Sequence, residues 1–241
     1  MKESDNDWCM HNIIHLGEDW TSPWTGQTAP KGSQLTLVSV VQLNKKKKLS
    51  IALPNATALC LNISKRSWNE AREIRKASKI DSSLKSDVGF ESHSNAFDYV
   101  ERVMESVVMA FTALEAFVNE IIPDEYETHR KSEVILEVMN KNQIERWLSL
   151  DEKLSSILPD VLDTKTPKGS RCWQGYRKLK TIRDRIIHMK KEDRRSSGPD
   201  IPTLWHELFK VAPPHVQAKD IIDYFVKSMD GCPRWHSEFL K

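Results

Sequence analysis

The 241-residue chain has little cysteine and no long apolar run. No cysteine pair has the spacing of a disulfide scaffold, so we expect free thiols at Cys9, Cys60, Cys172 and Cys232. No stretch approaches the ~18 apolar residues that span a bilayer, so no transmembrane helix is predicted. The first 20 residues are acidic and polar, which argues against a secretory signal. We therefore expect a cytoplasmic protein with no membrane partner.

Glycine is scarce as well, with eight residues in the chain. These glycines form no loop of the kind that cradles phosphates, and the sequence contains no nucleophile elbow. It also lacks a paired-carboxylate signature for general acid and base catalysis. Any catalytic site must therefore be recognised from another combination of side chains.

The net charge is only +2, but the two signs are unevenly distributed. Residues 91–167 contain 16 Asp and Glu and 7 Lys and Arg, whereas residues 168–195 contain 3 and 11, respectively. A compact basic segment is typical of a binding site for a polyanion such as RNA. The alternative is that the acidic helices neutralise the basic one inside the fold.

The N-terminal third predicts an arm followed by a short β region. Residues 1–33 are predicted to be an irregular arm that packs through Trp8, Trp20 and Trp24. Residues 34–64 predict two or three antiparallel strands, with an exposed turn at 44–48 and an alternating strand at Leu59, Leu61 and Ile63. Residues 67–79 predict a short polar helix capped by Ser67 with Glu70, and residues 81–92 predict a linker.

From residue 94 onward, apolar residues recur every three or four positions, which indicates amphipathic helices. The predicted helices cover 94–122, 132–148, 151–162 with a break at Pro159, 170–191, 203–211 and 214–229. We therefore expect a mainly α protein, with a helical bundle at 91–241 and a small β-containing region at 1–90.

The most informative stretch lies near the end of the predicted helix 170–191, where Arg183 and His188 are five residues apart. Asp184 lies one helical turn before His188, so its carboxylate could orient the histidine ring. Arginine offers a forked donor for a phosphate, and histidine can transfer a proton. These groups suffice for RNA cleavage without a metal. Alternatively, His188 is one of several cations that stabilise a helix C-terminus.

This segment resembles the HEPN superfamily, whose signature is an arginine, four to six residues and then a histidine. Arg183, the polar Asp184 after it and His188 match that pattern. The stretch 110–120 is similar to the first long helix of many HEPN proteins, in which an acidic residue lies in an apolar stripe, as Glu115 does here. The resemblance covers roughly residues 91–230 and not the N-terminal third.

The resemblance implies a metal-independent endoribonuclease that leaves 2′,3′-cyclic phosphate and 5′-hydroxyl ends. It implies a homodimer that brings two copies of the motif together across a shared cleft. It also implies a toxin or antiviral-defence role, in which an antitoxin or a regulatory protein is a partner besides RNA. Some members lack activity, so the alternative is a non-catalytic HEPN-like module that binds a protein or a nucleotide.

Further residues are candidates for supporting this site. Glu115 and Asn119 lie one turn apart and are expected to face the cleft, or else Glu115 is a structural carboxylate paired with Arg183 or Arg185. Five neighbouring cations are expected to bind RNA phosphates: Arg177, Lys180, Arg185, Lys190 and Lys191. Trp173 and Tyr176 have the spacing of core residues, although stacking on bases is the alternative.

A zinc site is the remaining alternative. Soft ligands occur at short spacing near both ends of the chain, at Cys9, His11 and His15 and at Cys232 and His236. Neither spacing matches a zinc finger. We therefore expect no metal and no cofactor.

Overall fold

The computed structural model describes residues 7–10, 13–23, 26–131 and 136–239. This part of the chain is mainly helical, and its strands form short antiparallel pairs, three of which precede the first long helix. The predicted fold class, mainly α with a small N-terminal β region, is confirmed. The chain forms two compact units, residues 1–59 with 233–241 and residues 60–232, and these bounds differ from the predicted 1–90 and 91–241.

The first unit is built largely from strand pairs. Its strands are β1 (Ile13–His15), β2 (Trp20–Thr21), β3 (Thr28–Ala29), β4 (Gln34–Thr36), β5 (Val38–Asn44) and β6 (Lys47–Ala52). They pair antiparallel as β1 with β4, β2 with β3 and β5 with β6. The prediction of an irregular arm is therefore wrong for β1, β2 and β3. Trp24 and His11 lie outside the described residues.

The pairing of β5 with β6 confirms the hairpin expected from the alternating apolar residues. Val41 lies opposite Leu49, and a two-residue turn at Lys45 and Lys46 joins the strands. In the same unit, Trp8 packs against Phe239 with ring centroids 5.8 Å apart.

A long helix, α1 (Ala56–Ala77), takes the place of the strand predicted around Leu61 and of the short helix predicted to start at Ser67. Asn55 precedes it, and its side chain accepts a hydrogen bond from the backbone N–H of Ala58 at 2.9 Å. The buried face of α1 includes Ala58, Leu61, Ser64, Ser67 and Ala71, and only Leu61 among these five is a large apolar residue. The helical period of α1 is therefore not visible in the pattern of its large apolar residues. The alternation of Leu59, Leu61 and Ile63 resembled a strand, and the predicted strand is wrong.

The second unit contains most of the helices and one strand pair. Besides most of α1, its helices are α2 (His93–Ile121), α3 (Lys141–Trp147), α4 (Leu150–Glu152), α5 (Leu158–Val161), α6 (Arg171–Ile187), α7 (Leu204–Lys210) and α8 (Pro214–Val226). The short α9 (Arg234–Glu238) belongs to the first unit. The helices α2, α6 and α8 pack on one another, and α7 packs on α2 and α6. Their contacts bury Phe117, Tyr176 and Phe225.

The helix predicted over 132–148 is wrong in its first part. The strands β7 (Glu127–Lys131) and β8 (Leu136–Asn140) form an antiparallel pair there, and residues 132–135 lie outside the described residues. α3 begins only after Asn140, which forms a capping box with Gln143.

The break predicted at Pro159 does not occur. A π-helical turn (Lys153–Ile157) joins α4 to α5, and Pro159 lies in the first turn of α5, where its missing N–H is not needed. No helix in the described part of the chain is both long and apolar enough to cross a membrane.

Candidate functional site

The helix α6 carries the arginine and histidine of the predicted motif near its C-terminus. Its first turn is capped by Ser170, whose hydroxyl accepts a hydrogen bond from the backbone N–H of Trp173 at 3.2 Å. The helix ends at Ile187, before the predicted end at residue 191. His188 is the C-cap residue, with φ −122° and ψ 61°, and its backbone N–H donates to the carbonyl of Asp184 at 2.8 Å.

The side chain of His188 is exposed to solvent. Within the described ranges, its ring makes no hydrogen bond or ion pair. The orienting contact expected from Asp184 is not formed, and the Asp184 carboxylate instead accepts a hydrogen bond from Nη1 of Arg183 at 2.9 Å. Both ring nitrogens of His188 are therefore available to a ligand.

The guanidinium of Arg183 is held in place by two contacts. It pairs with Asp184, and its Cζ lies 4.6 Å from the ring centroid of Phe111 on α2, which is a cation–π geometry. The side chain is 35% exposed, and that one hydrogen bond is its only one to a described residue. Donors of the guanidinium therefore remain free for a phosphate oxygen.

Glu115 and Asn119, which were expected to face the cleft of the motif, both contact a buried lysine. Lys153 lies in the π-helical turn and is 2% exposed. Its Nζ donates to the Glu115 carboxylate at 3.4 Å, to Oδ1 of Asn119 at 3.1 Å and to the backbone carbonyl of Glu145 at 2.9 Å. Three acceptors satisfy the ammonium group, which makes it a structural cation. The Glu115 pairing with Arg183 or Arg185 that the sequence left open is not formed.

Two of the predicted RNA-binding cations, Arg177 and Lys180, are paired within the unit. Each donates to Oδ2 of Asp151 at 2.7 Å, and the buried hydroxyl of Tyr176 donates to Oδ1. Burial alone would raise the pKa of Asp151, but the hydrogen bonds from Lys180 and Tyr176 lower it overall. This cluster neutralises part of the basic segment, as the alternative interpretation of its charge expected.

Arg185 is also engaged within the unit. Its guanidinium forms a two-pronged ion pair with Asp193, at 3.1 and 2.7 Å, and donates to the carbonyl of Pro202 at 2.7 Å. Asp193 is buried and also accepts from the backbone N–H groups of Lys190 and Leu204. The bonds from Arg185 and from these N–H groups lower the pKa of Asp193 to about 2. Arg185 thus anchors the loop after α6, a role different from the predicted phosphate contact.

The remaining predicted RNA-binding residues, Lys190 and Lys191, lie in that loop, and both are exposed. Their ammonium groups form no ion pair with any residue that the structure describes. Arg194 and Arg195 follow them, and Arg195 is likewise exposed. Free positive charge therefore lies directly after His188.

A separate cleft of about 420 Å³ opens between α6, α7 and α8. Its lining includes Lys178, Thr181, Lys210 and Gln217, but neither residue of the motif. Gln217 is 9% exposed, and its Oε1 has no hydrogen-bond partner among the described residues. This amide oxygen is therefore a buried acceptor that a ligand donor would satisfy.

The described residues contain no group of three or more His, Cys, Asp or Glu side chains that could hold a metal ion. The cysteines form no disulfide. Of the five residues considered for zinc, His11 lies outside the described part.

Sequence reasoning missed Asp151, Lys153 and Asp193, the charged residues that organise this end of the second unit. The sequence did indicate that Lys153 is buried, because it lies within an apolar stripe formed by Leu150, Leu154 and Ile157. Asp193 gave no such signal, since its partners Arg185, Lys190 and Leu204 come from the end of α6, the loop after it and the start of α7, and they meet only through the folding of that loop.

Comparison with known proteins found no relative: neither a family model, nor a curated protein, nor a solved structure matches the chain.

Proposed function

We propose that this chain is a metal-independent endoribonuclease of the HEPN type, with Arg183 and His188 as its catalytic residues. The observation that carries the proposal is the exposed His188, free of described partners, five residues after an arginine that Phe111 and Asp184 hold in place. These two residues have kept free hydrogen-bonding groups, whereas Arg177, Lys180 and Arg185 are engaged in ion pairs.

In this mechanism, the ribose 2′-hydroxyl attacks the adjacent phosphorus and the 5′ oxygen leaves. His188 transfers the proton of the attacking or the leaving oxygen. Arg183 donates hydrogen bonds to the phosphate oxygens, whose negative charge grows in the transition state. Asp184 fixes the guanidinium rather than the imidazole, and the products carry 2′,3′-cyclic phosphate and 5′-hydroxyl ends.

RNA binding and assembly belong to the same proposal. Lys190 and Lys191 bind the backbone beside the cleavage site. The chain acts as a homodimer that joins two copies of the motif and buries at least ~1,000 Å² in total. Its role is that of a toxin or an antiviral-defence effector controlled by an antitoxin or a regulatory protein.

The test is cleavage of total RNA by the purified protein in the presence of EDTA. We expect His188→Ala to lower the rate by ~10²–10⁴-fold while RNA binding persists, because a proton-transfer group is lost. Arg183→Lys keeps the charge but loses the forked donor, and we expect a loss of ~10²-fold or more. Matched controls are His93→Ala and Arg66→Lys, which change an exposed histidine and an exposed arginine outside α6 and the loop after it. Equal rates for His188→Ala and the intact protein would show that the assignment is wrong.

A second candidate function is a non-catalytic HEPN-like module that binds a nucleotide. The observation that favours it is the cleft at Gln217, where cations of α6 and α7 lie near an unsatisfied buried amide oxygen. Phosphates would pair with Lys178 and Lys210, and a base amino group would donate to the Gln217 amide. Absence of cleavage with all RNAs, together with nucleotide binding that Lys178→Ala weakens, would favour this candidate.

A further inference from the structure

The hairpin of β5 and β6 in the first unit exposes large apolar side chains on both of its faces. Val38 and Val40 are 60% and 57% exposed on one face. On the other face, Val41 of β5 and Leu49 and Ile51 of β6 are 45%, 45% and 44% exposed. Successive residues of a strand point to opposite faces, so neither face of the hairpin is covered within the described part of the chain.

Such a hairpin is marginally stable by itself, because two strands bury too little apolar surface. It also has two open edges, since β5 pairs only with β6 among the described strands. An open edge presents unpaired backbone N–H and C=O groups that another strand can bind.

The two edges of the hairpin differ in how strongly charged residues oppose pairing with another strand. β6 begins with Lys47 and Lys48, and charged edge residues, lysine above all, oppose pairing with another strand. β5 contains no charged residue, and it is the only described strand of four or more residues for which this holds. The unprotected edge is therefore the one formed by β5.

We propose that β5 pairs antiparallel, edge to edge, with β5 of a second copy of the chain. The two-fold axis passes through Val41, the central residue of β5, and the two hairpins form one four-stranded sheet. Because the paired strands run in opposite directions, the lysine-rich turns of the two copies point to opposite ends of the sheet. Repulsion between these turns is therefore small, and a second copy fits this edge better than a strand carrying charges of its own.

The contact is modest in size. Two strands of seven residues bury less than the roughly 1,200 Å² of a standard interface, although apolar neighbours on both faces add to the area. We therefore expect an association that depends on concentration in the micromolar range. This contact does not depend on ribonuclease activity, and it lies in a different unit from the motif that the proposed homodimer joins.

A matched pair of variants tests the proposal, Val41→Lys and Leu49→Lys. The two residues lie opposite each other in the hairpin, on the same face, and are equally exposed, so each change should leave the fold intact. In the proposed sheet, the lysine side chains that Val41→Lys introduces in two copies would face each other directly, and like charges in that position disrupt strand pairing. Leu49 lies one strand further away, roughly 10 Å from the second copy.

Sedimentation equilibrium of the full chain up to about 500 µM is the measurement. We expect Val41→Lys to lower the mass reached by the intact protein, by half where the hairpin contact is the sole interface, and Leu49→Lys to leave it unchanged. Amide hydrogen exchange should slow in β5, and not in β6, as the concentration rises. A mass that does not change with concentration, equal dissociation by both variants, or unchanged exchange in β5 would each overturn the proposal.

Discussion

The charged residues near the candidate site are of two kinds. Some have all or most of their hydrogen-bonding groups paired within the fold, and others have groups that no described residue pairs. Asp193 is the most engaged, with two bonds from Arg185 and two from backbone N–H groups. Arg183, His188 and Lys190 keep donors or acceptors that no described residue uses. The residues proposed for catalysis and RNA binding are therefore those whose hydrogen-bonding groups are not used within the described part of the fold.

Asp193→Asn is predicted to destabilise the protein by about 3–5 kcal/mol at neutral pH, because it leaves the mostly buried Arg185 without its counter-ion. The control is Asp184→Asn, which disrupts a half-exposed pair and should cost less than about 1 kcal/mol. Urea unfolding monitored by circular dichroism measures both. Similar losses in the two variants would contradict the structural role of Asp193.

The same residue predicts a pH dependence. The pKa of Asp193 is about 2 in the folded protein, below the ~3.9 of an unfolded aspartate. Its stabilising contribution is therefore fully present above about pH 4 and is lost as the pH falls through about 2. Between these limits, the intact protein should lose on the order of 2 kcal/mol more of its free energy of unfolding than Asp193→Asn does. Urea unfolding of both proteins at several pH values measures this difference.

At the scale of elements, α1 and α2 approach closely through a pair of buried serines. The Ser64 hydroxyl lies 2.8 Å from the carbonyl of Ser106, the Ser106 hydroxyl lies 2.8 Å from the carbonyl of Ser64, and the hydroxyls are 3.0 Å apart. Both side chains are fully buried. Small side chains at this crossing let the two helices come close together, and the hydroxyls are satisfied without water.

Ser64→Leu is predicted to destabilise the protein more than Ser64→Ala. The alanine variant loses its hydrogen bonds and should cost about 1–3 kcal/mol. The leucine variant also forces the helices apart, which adds about 1–3 kcal/mol. Thermal unfolding is the measurement, and Ser82→Ala, an exposed serine, is the control. A leucine variant as stable as the intact protein would mean that the crossing is loosely packed.

For the whole molecule, the arrangement of charge matters more than the net +2. Asp151 and Asp193 pair three of the eleven cations of the basic segment 168–195 within the second unit, namely Arg177, Lys180 and Arg185. Lys190 and Lys191, which form no ion pair with a described residue, lie in the loop after α6, beside His188. An RNA strand drawn to this loop would lie close to the proposed catalytic pair.

The double change of Lys190 and Lys191 to Ala is predicted to weaken RNA binding and to flatten its dependence on salt. Each lost phosphate contact should lower the slope of log K against log salt by about 0.7–0.9. The matched control changes Lys45 and Lys46 to Ala, which removes the same charge from the hairpin turn. Fluorescence anisotropy with a labelled RNA at several salt concentrations provides the slopes. An equal effect of the two double variants would mean that binding follows overall charge.

The sequence alone determined the helical character of most of the chain, the hairpin of β5 and β6 and the span of α2. In these elements the apolar period is long or strongly alternating, so the local pattern and the fold agree. It also determined the candidate motif, because Arg183, Asp184 and His188 are close along the chain. Whether that motif cleaves RNA stays a prediction.

Only the tertiary structure decided how the charged residues are paired. Glu115 and Asn119 bind Lys153, Asp184 binds Arg183 instead of His188, and Arg185 binds Asp193. Tertiary packing also decided that α1 is one helix, because most residues of its buried face are small or polar and one of them, Ser64, is buried by contact with α2. Such partners are set by which elements meet in space, and the spacing of residues along one element carries no information about the element that lies opposite it.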